Sequence, residues 1–113
     1  MNANVKFQPK VLRSQIETAS GVNFHRSGHV DKQQKLFSVN AGVDLEDALN
    51  SISDLLDLAE EPIFEAGMGE PLRDNAAWRV HFVLQAAKAG VDSLLQVLAT
   101  ENAEVRMHEA RIA

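Results

Sequence analysis

The stretch LEDALNSISDLLDLAEE, Leu45–Glu61, decides the fold class of this chain. Its apolar residues recur every three or four positions, which places them on one stripe of a helix with 100° per residue. They are Leu45, Ala48, Leu49, Ile52, Leu55, Leu56, Ala59 and, just beyond the stretch, Ile63. The side chain of Asp44 can accept hydrogen bonds from the free N–H groups of the first turn, where Glu46 and Asp47 favour the helix dipole. The sequence therefore predicts an amphipathic helix that begins at Leu45.

A connection rich in Gly and Pro follows this helix. Pro62 predicts that the helix ends or kinks near Glu61, because a prolyl ring disfavours helical geometry at the preceding residue and removes a backbone donor. Phe64, Met68 and Leu72 lie in or beside this connection. Such side chains either cap the helix ends or protrude.

A second helix is predicted to open after Asp74 or Asn75 and to run past Leu98, with the tail to Arg111 left open. Its main stripe has nearly the spacing of the first helix. The stripe consists of Val80, Val83, Leu84, Ala87, Val91, Leu94 and Leu98. Because the two stripes can face each other, an αα-hairpin is the simplest arrangement.

The second helix is also apolar on its opposite face. Trp78, Phe82, Ala86 and Ala89 lie there by the 100° rule. A hairpin has only one seam, so these residues would stay exposed, which monomeric helices seldom allow without a partner. We expect a homodimer that forms a helical bundle. The alternative is that the N-terminal segment or the connection covers Trp78 and Phe82.

A short strand is predicted before the first helix. Residues 35–39 alternate, with Phe37 and Val39 on one face, and the turn-forming run Asn40-Ala41-Gly42 follows. A lone strand leaves its backbone groups unpaired, whereas a two-fold axis would pair two copies. Residues 1–34 show no sustained period, so we expect a basic, flexible arm there and a strand plus helical hairpin over 35–113. The predicted fold class is mainly α.

Charge and composition narrow the function classes. Residues 1–35 contain six basic and two acidic side chains, whereas 36–72 contain nine acidic side chains and no Lys or Arg. The net charge of −5 argues against broad binding to nucleic acid or anionic membranes. The absence of Cys excludes a disulfide framework and a cysteine nucleophile. No apolar run approaches 18 residues, and we expect a cytoplasmic protein.

No catalytic or metal-binding constellation stands out. His25 and His29 are four residues apart, a spacing that forms a metal pair only on a helix, whereas Gly28 and its polar neighbours favour a loop. Adjacent acids such as Glu60 and Glu61 point apart on a helix, which suits solvation better than acid–base catalysis. We expect no enzyme, no metal and no cofactor.

Two function classes remain open. In the first, the chain is a binding module whose exposed apolar residues bind another protein and prevent that protein from assembling. In the second, the acidic segment is a DNA mimic that occupies the basic surface of a nucleic-acid-binding protein. A solvated helix face is the favoured explanation of the acidic segment, because its acids also lie where the start of a helix favours negative charge. The salt dependence of binding distinguishes the two classes.

Several stretches resemble a family of small uncharacterised pseudomonad proteins. They are Leu36–Val43, Leu45–Leu49, Leu55-Leu56 and Ala77–Ala89, and the resemblance covers roughly residues 36–95. Among proteins of this size and type, the chain is similar to quorum-sensing anti-activators. This resemblance implies a dimer that binds the ligand-binding domain of a LuxR-type (LasR-like) transcription regulator and prevents its dimerisation and DNA binding. The candidate contact residues, for the partner or the dimer, are Phe37, Val39, Phe64, Met68, Leu72, Trp78, Phe82, Ala86 and Ala89.

Overall fold

The computed structural model describes residues 16–112 and is mainly helical, as the sequence predicts. A two-stranded antiparallel sheet precedes two long helices. The elements are β1 (Asn23–Ser27), a 3-10 turn (Val30–Lys32), β2 (Gln34–Ser38), α1 (Leu45–Gly67) and α2 (Ala76–Ile112). In the sheet, Phe24 pairs with Phe37 and Arg26 with Lys35.

The predicted strand has a partner within its own chain. β1 lies inside the segment for which we expected a flexible arm, so that expectation is wrong for residues 23–27. The expectation that β2 needs a second copy for pairing is wrong for the same reason. β1 gave no strand signal because it is short, four of its five residues are polar or basic, and His25 has a positive φ of 69°. The part of the predicted arm in residues 1–15 lies outside the described residues.

α1 begins at Leu45 as predicted, but the hydrogen bonds at its first turn differ from those predicted. Asp44 is extended, with φ −66° and ψ 159°, and its side chain makes no capping hydrogen bond. The predicted capping role of this carboxylate is therefore wrong. Instead, the Leu45 N–H donates to the carbonyl oxygen of Ile16 at 2.8 Å. An extended N-terminal segment thus supplies the acceptor that we expected from a side chain.

Pro62 does not end α1, which continues to Gly67. The prediction of a helix end near Glu61 is wrong because a proline inside a helix removes one backbone hydrogen bond without preventing the next turn. Pro62 is half-buried and lines a cavity of about 200 Å³ together with Ala76 and Val80 of α2. Pro62 therefore faces the first turn of α2 across this cavity.

α2 runs from Ala76 to Ile112, which confirms its predicted start. The C-terminal tail, for which the sequence decided nothing, is part of this helix. At 1.5 Å per residue α2 is about 55 Å long and α1 about 35 Å. The two helices pack along a core in which most members are small or medium-sized. Buried residues of this core are Ala48, Ile52 and Ala59 of α1, Val80, Ala87 and Leu94 of α2, and Ile16.

The two helices approach each other closely at Gly90. A Cβ atom placed there would lie 2.9 Å from Cγ1 and 3.0 Å from Cδ1 of Ile52. These distances are shorter than side chains tolerate, so the seam depends on the missing side chain of Gly90.

Residues 16–19 join the start of α1 to the middle of α2. The Thr18 hydroxyl donates to the Asn40 carbonyl at 2.6 Å and accepts from the Val43 N–H at 3.1 Å. The Ser93 hydroxyl donates to the carbonyl of Ala19 and accepts from its N–H, both at 2.8 Å. Thr18 and Ser93 are both buried, and the periodicity of the sequence predicted neither contact.

Among residues 16–112, α2 is long and apolar enough to cross a membrane by length and composition alone. The segment Ala76–Arg111 has a window of mean hydropathy 1.2, of which 22% is buried inside the protein. This is weak evidence for a membrane span, because the core helix of a soluble protein passes the same test.

Candidate interaction surface

The structure divides the predicted contact residues into two sets. In one set, Phe37 of β2 contacts Phe82 of α2. The other members of this set are the half-buried Val39 and Ala86 and the buried Ala89. The other set lies at the end of the helical hairpin, where α1 ends and α2 begins. We call this second set, Phe64, Met68, Leu72 and Trp78, the tip surface.

An aromatic cluster covers Phe82. The ring of Phe82 lies 5.3 Å from Phe37 and 6.0 Å from Phe24, measured between centroids, and the two phenylalanines of the sheet stack at 5.7 Å. Ala89, on the same face of α2, is also buried. The expectation that Ala89 stays exposed is therefore wrong, and Phe82 is half-buried because Phe24 and Phe37 of the N-terminal segment pack against it, as the alternative expected.

His25 joins this cluster because of its backbone conformation. Its ring lies 5.3 Å from that of Phe82 and 5.7 Å from that of Phe37. Successive residues of a regular strand point to opposite faces, yet Phe24 and His25 contact the same two rings. The positive φ of His25 breaks this alternation. Its Nδ1 atom lies 3.3 Å from Oε1 of Gln85 on α2, which ties the sheet to the helix.

The tip surface, by contrast, remains uncovered. Trp78 and Met68 are each 72% exposed, and Phe64 is 66% exposed. The only aromatic contact described for Trp78 within residues 16–112 is with His81, at 6.2 Å between ring centroids. Large apolar residues gathered at one end of a protein are typical of a binding surface. Trp78 thus differs from Phe82, although both lie on the same face of an ideal helical wheel.

The acidic side chains of α1 point away from the core. α1 carries seven acidic residues and no Lys or Arg, and all seven are exposed. At its first turn, the pKa of Asp47 is raised by a hydrogen bond with the Asp44 side chain and by the negative charges of Asp44 and Glu46. The acids therefore crowd one another, as expected for an acidic face without positive partners.

The histidines do not form a site with one another. His25 belongs to β1 and to the aromatic cluster, so its placement in a loop is wrong, while His29 lies 3.5 Å from Asp31 in the turn. Across the described part of the chain, no three His, Asp or Glu side chains lie close enough together to hold a metal ion. A groove of about 720 Å³ between the sheet and α2 is wide open and is lined by residues such as Asn23, Lys35 and Asp92.

Comparison with known proteins identifies the family. Searches among curated proteins and among solved structures found no match. A family model described as a protein of unknown function (DUF3077) matches residues 18–97. This region contains both strands, all of α1 and the part of α2 that packs against α1. The chain therefore belongs to the DUF3077 family.

Proposed function

We propose that this chain is a non-enzymatic regulatory protein that captures another protein through its tip surface. The exposure of Trp78 carries this proposal. Tryptophan buries about 150–250 Å² when it is covered, and it is among the residues that most often dominate the binding energy of protein interfaces. Phe64 and Met68 add apolar surface at the same end of the hairpin.

The proposed partner is a LuxR-type (LasR-like) transcription regulator in the cytoplasm. The support is the resemblance of residues 36–95 to small pseudomonad proteins such as the quorum-sensing anti-activator QslA. In this mechanism the tip surface occupies the apolar surface through which the regulator would pair with itself. A regulator held in this way neither dimerises nor binds its operator, and the chain itself contacts neither DNA nor membrane.

The proposal is tested with Trp78→Ala and with Leu36→Ala as a matched control. Leu36 is 64% exposed on β2, away from the hairpin end. We expect Trp78→Ala to weaken binding of the regulator's ligand-binding domain about 30-fold or more, and Leu36→Ala to leave it unchanged. Titration calorimetry measures both affinities. Equal affinities for the two variants would show that the tip surface is not the contact.

The proposed block of dimerisation is tested by the binding of the regulator to its operator DNA. Excess protein should abolish the operator DNA shift of the regulator and yield a complex with less than a full regulator dimer. A regulator dimer that stays on its operator in the presence of excess protein contradicts the mechanism.

Salt distinguishes this function from the acidic mimic that the sequence left open. Apolar contacts persist at high ionic strength, whereas contacts between the acidic face of α1 and a basic partner are screened. We expect the affinity for the regulator to change little when the salt concentration rises from about 0.1 M to about 1 M. A collapse of affinity over this range would favour DNA mimicry.

A further inference from the structure

α2 has an apolar stripe that neither α1 nor the sheet covers. Leu84, Val91 and Leu98 follow one another at intervals of seven residues, and each is between 38% and 43% exposed. They lie along one edge of the predicted stripe, while Val80 and Leu94 of the same stripe are buried. The stripe is therefore wider than the seam with α1 and continues onto the surface.

α1 has a matching stripe. Leu49, Leu56 and Ile63 also follow one another at intervals of seven residues, and each is about half exposed, at 48–49%. Their neighbours Ile52 and Ala59 are buried in the core. We call the six residues of the two stripes, Leu49, Leu56, Ile63, Leu84, Val91 and Leu98, the open face.

The spacing of the open face indicates which kind of partner can pack against it. A seven-residue repeat keeps apolar side chains facing a neighbouring helix when helices cross at about 20°, as they do in four-helix bundles. The open face repeats this spacing on two packed helices. A hairpin with such a face is half of a four-helix bundle, and the missing half needs the same spacing on two helices, which a second copy of this chain supplies.

Charge favours one arrangement of two copies. α1 carries seven acidic residues and no basic ones, so two copies of α1 side by side would repel each other. α2 carries four basic and four acidic residues. One of the basic side chains, Lys88, already pairs with Asp92 of the same helix at 2.8 Å. Packing α1 of one copy against the electrically balanced α2 of the other therefore avoids the repulsion between the two acidic helices.

The exposed apolar area is of the order that a specific pair requires. Six large apolar residues that are about 40–50% exposed present several hundred Å² on each copy. Two such faces, with their flanking residues, reach the roughly 1,000 Å² in total that a specific interface requires.

We propose that the open face binds a second copy of this chain, so that two hairpins form a four-helix bundle in which α1 of each copy packs against α2 of the other. This face is separate from the sheet and from Phe82, where the sequence had placed the dimer contact. The tip surface stays free at the ends of the bundle. The proposal is independent of which protein the tip surface captures.

The oligomeric state tests the proposal. Leu56→Glu places a charge in the open face, whereas Leu58→Glu places the same charge on the same helix at a residue that is 64% exposed and outside this face. In light scattering at micromolar concentrations, we expect the unaltered chain and Leu58→Glu at twice the 12.4 kDa chain mass, and Leu56→Glu at the single mass. An unaltered chain that is monomeric overturns the proposal.

Cross-linking tests the arrangement with milder changes. The chain contains no Cys, so one introduced thiol is unique. With a short bis-maleimide, we expect chains with Leu56→Cys and chains with Leu84→Cys to cross-link to each other when mixed, and Leu58→Cys to remain uncross-linked with either. Cross-linking of Leu58→Cys at the same yield as Leu56→Cys would overturn the assignment of the face, even if Leu56→Glu fails to fold.

Discussion

At the scale of single residues, the small side chain of Ser93 links α2 to the N-terminal segment. Its buried hydroxyl satisfies both the N–H and the carbonyl of Ala19. Ser93→Ala leaves these two groups without a partner, so we expect the free energy of unfolding to fall by about 1–3 kcal/mol. Urea denaturation followed by circular dichroism measures the change.

Ser51→Ala is the matched control, because Ser51 is exposed on α1. Alanine is the better helix former, so this variant should be neutral or slightly more stable. Equal losses for the two variants would show that the hydroxyl of Ser93 contributes nothing beyond the change of residue type.

Asp47 gives stability a dependence on pH. Its pKa is raised in the folded chain, first by the hydrogen bond with Asp44 and then by nearby negative charge. As pH rises above the unfolded value of about 3.9, the unfolded chain releases this proton first, so the folded state loses relative stability until pH passes the folded pKa. We therefore expect Asp47→Asn to raise the urea midpoint at pH 7 and to have little effect at pH 3.

Asp54→Asn separates this local effect from the total charge of α1. It removes one negative charge from the same exposed side of the helix. We expect a smaller rise in the midpoint at pH 7 than Asp47→Asn produces. A larger rise would mean that the total charge of α1, and not the contact with Asp44, sets the effect.

At the scale of elements, Gly90 sets the distance between the helices. In an open helix, Gly→Ala stabilises by about 1 kcal/mol, but a Cβ at Gly90 would meet Ile52 at 2.9 Å. We expect Gly90→Ala to lower the free energy of unfolding by about 1–3 kcal/mol, because the two helices must move apart. Thermal or urea unfolding measures this.

Gly67→Ala is the matched control, since no atom lies within 4 Å of a Cβ at that position. It should be neutral or stabilising. In a double variant with Ile52→Ala, the cost of Gly90→Ala should shrink, because the atoms that it meets are gone. Additive costs would contradict the close contact.

The sequence predicted long elements well and short ones poorly. α1 begins at Leu45 and α2 runs past Leu98 as expected, because a periodic pattern over many turns outweighs local exceptions. β1 was missed because five residues with an interrupted alternation carry too little pattern. Pro62 misled the prediction, because α1 continues past it to Gly67.

At the scale of the whole molecule, the candidate surface was only partly predictable. Helical spacing showed that α2 has more apolar surface than one seam can cover, and that is correct. Helical spacing placed Trp78 and Phe82, four residues apart, on the same exposed face. In the structure the sheet covers only Phe82. Which face is covered depends on where a distant segment folds back, and helical periodicity contains no information about that.

The contact between Ala19 and Ser93 also has a consequence for the order of folding. It joins residues 74 positions apart, whereas the two strands are neighbours in the chain and so are the two helices. Closing a loop of that length costs about 4 kcal/mol of chain entropy, so a chain gains little by forming this contact early. We expect the hairpin of helices to form first and the N-terminal segment to close over it last, as the slow step that completes the native state.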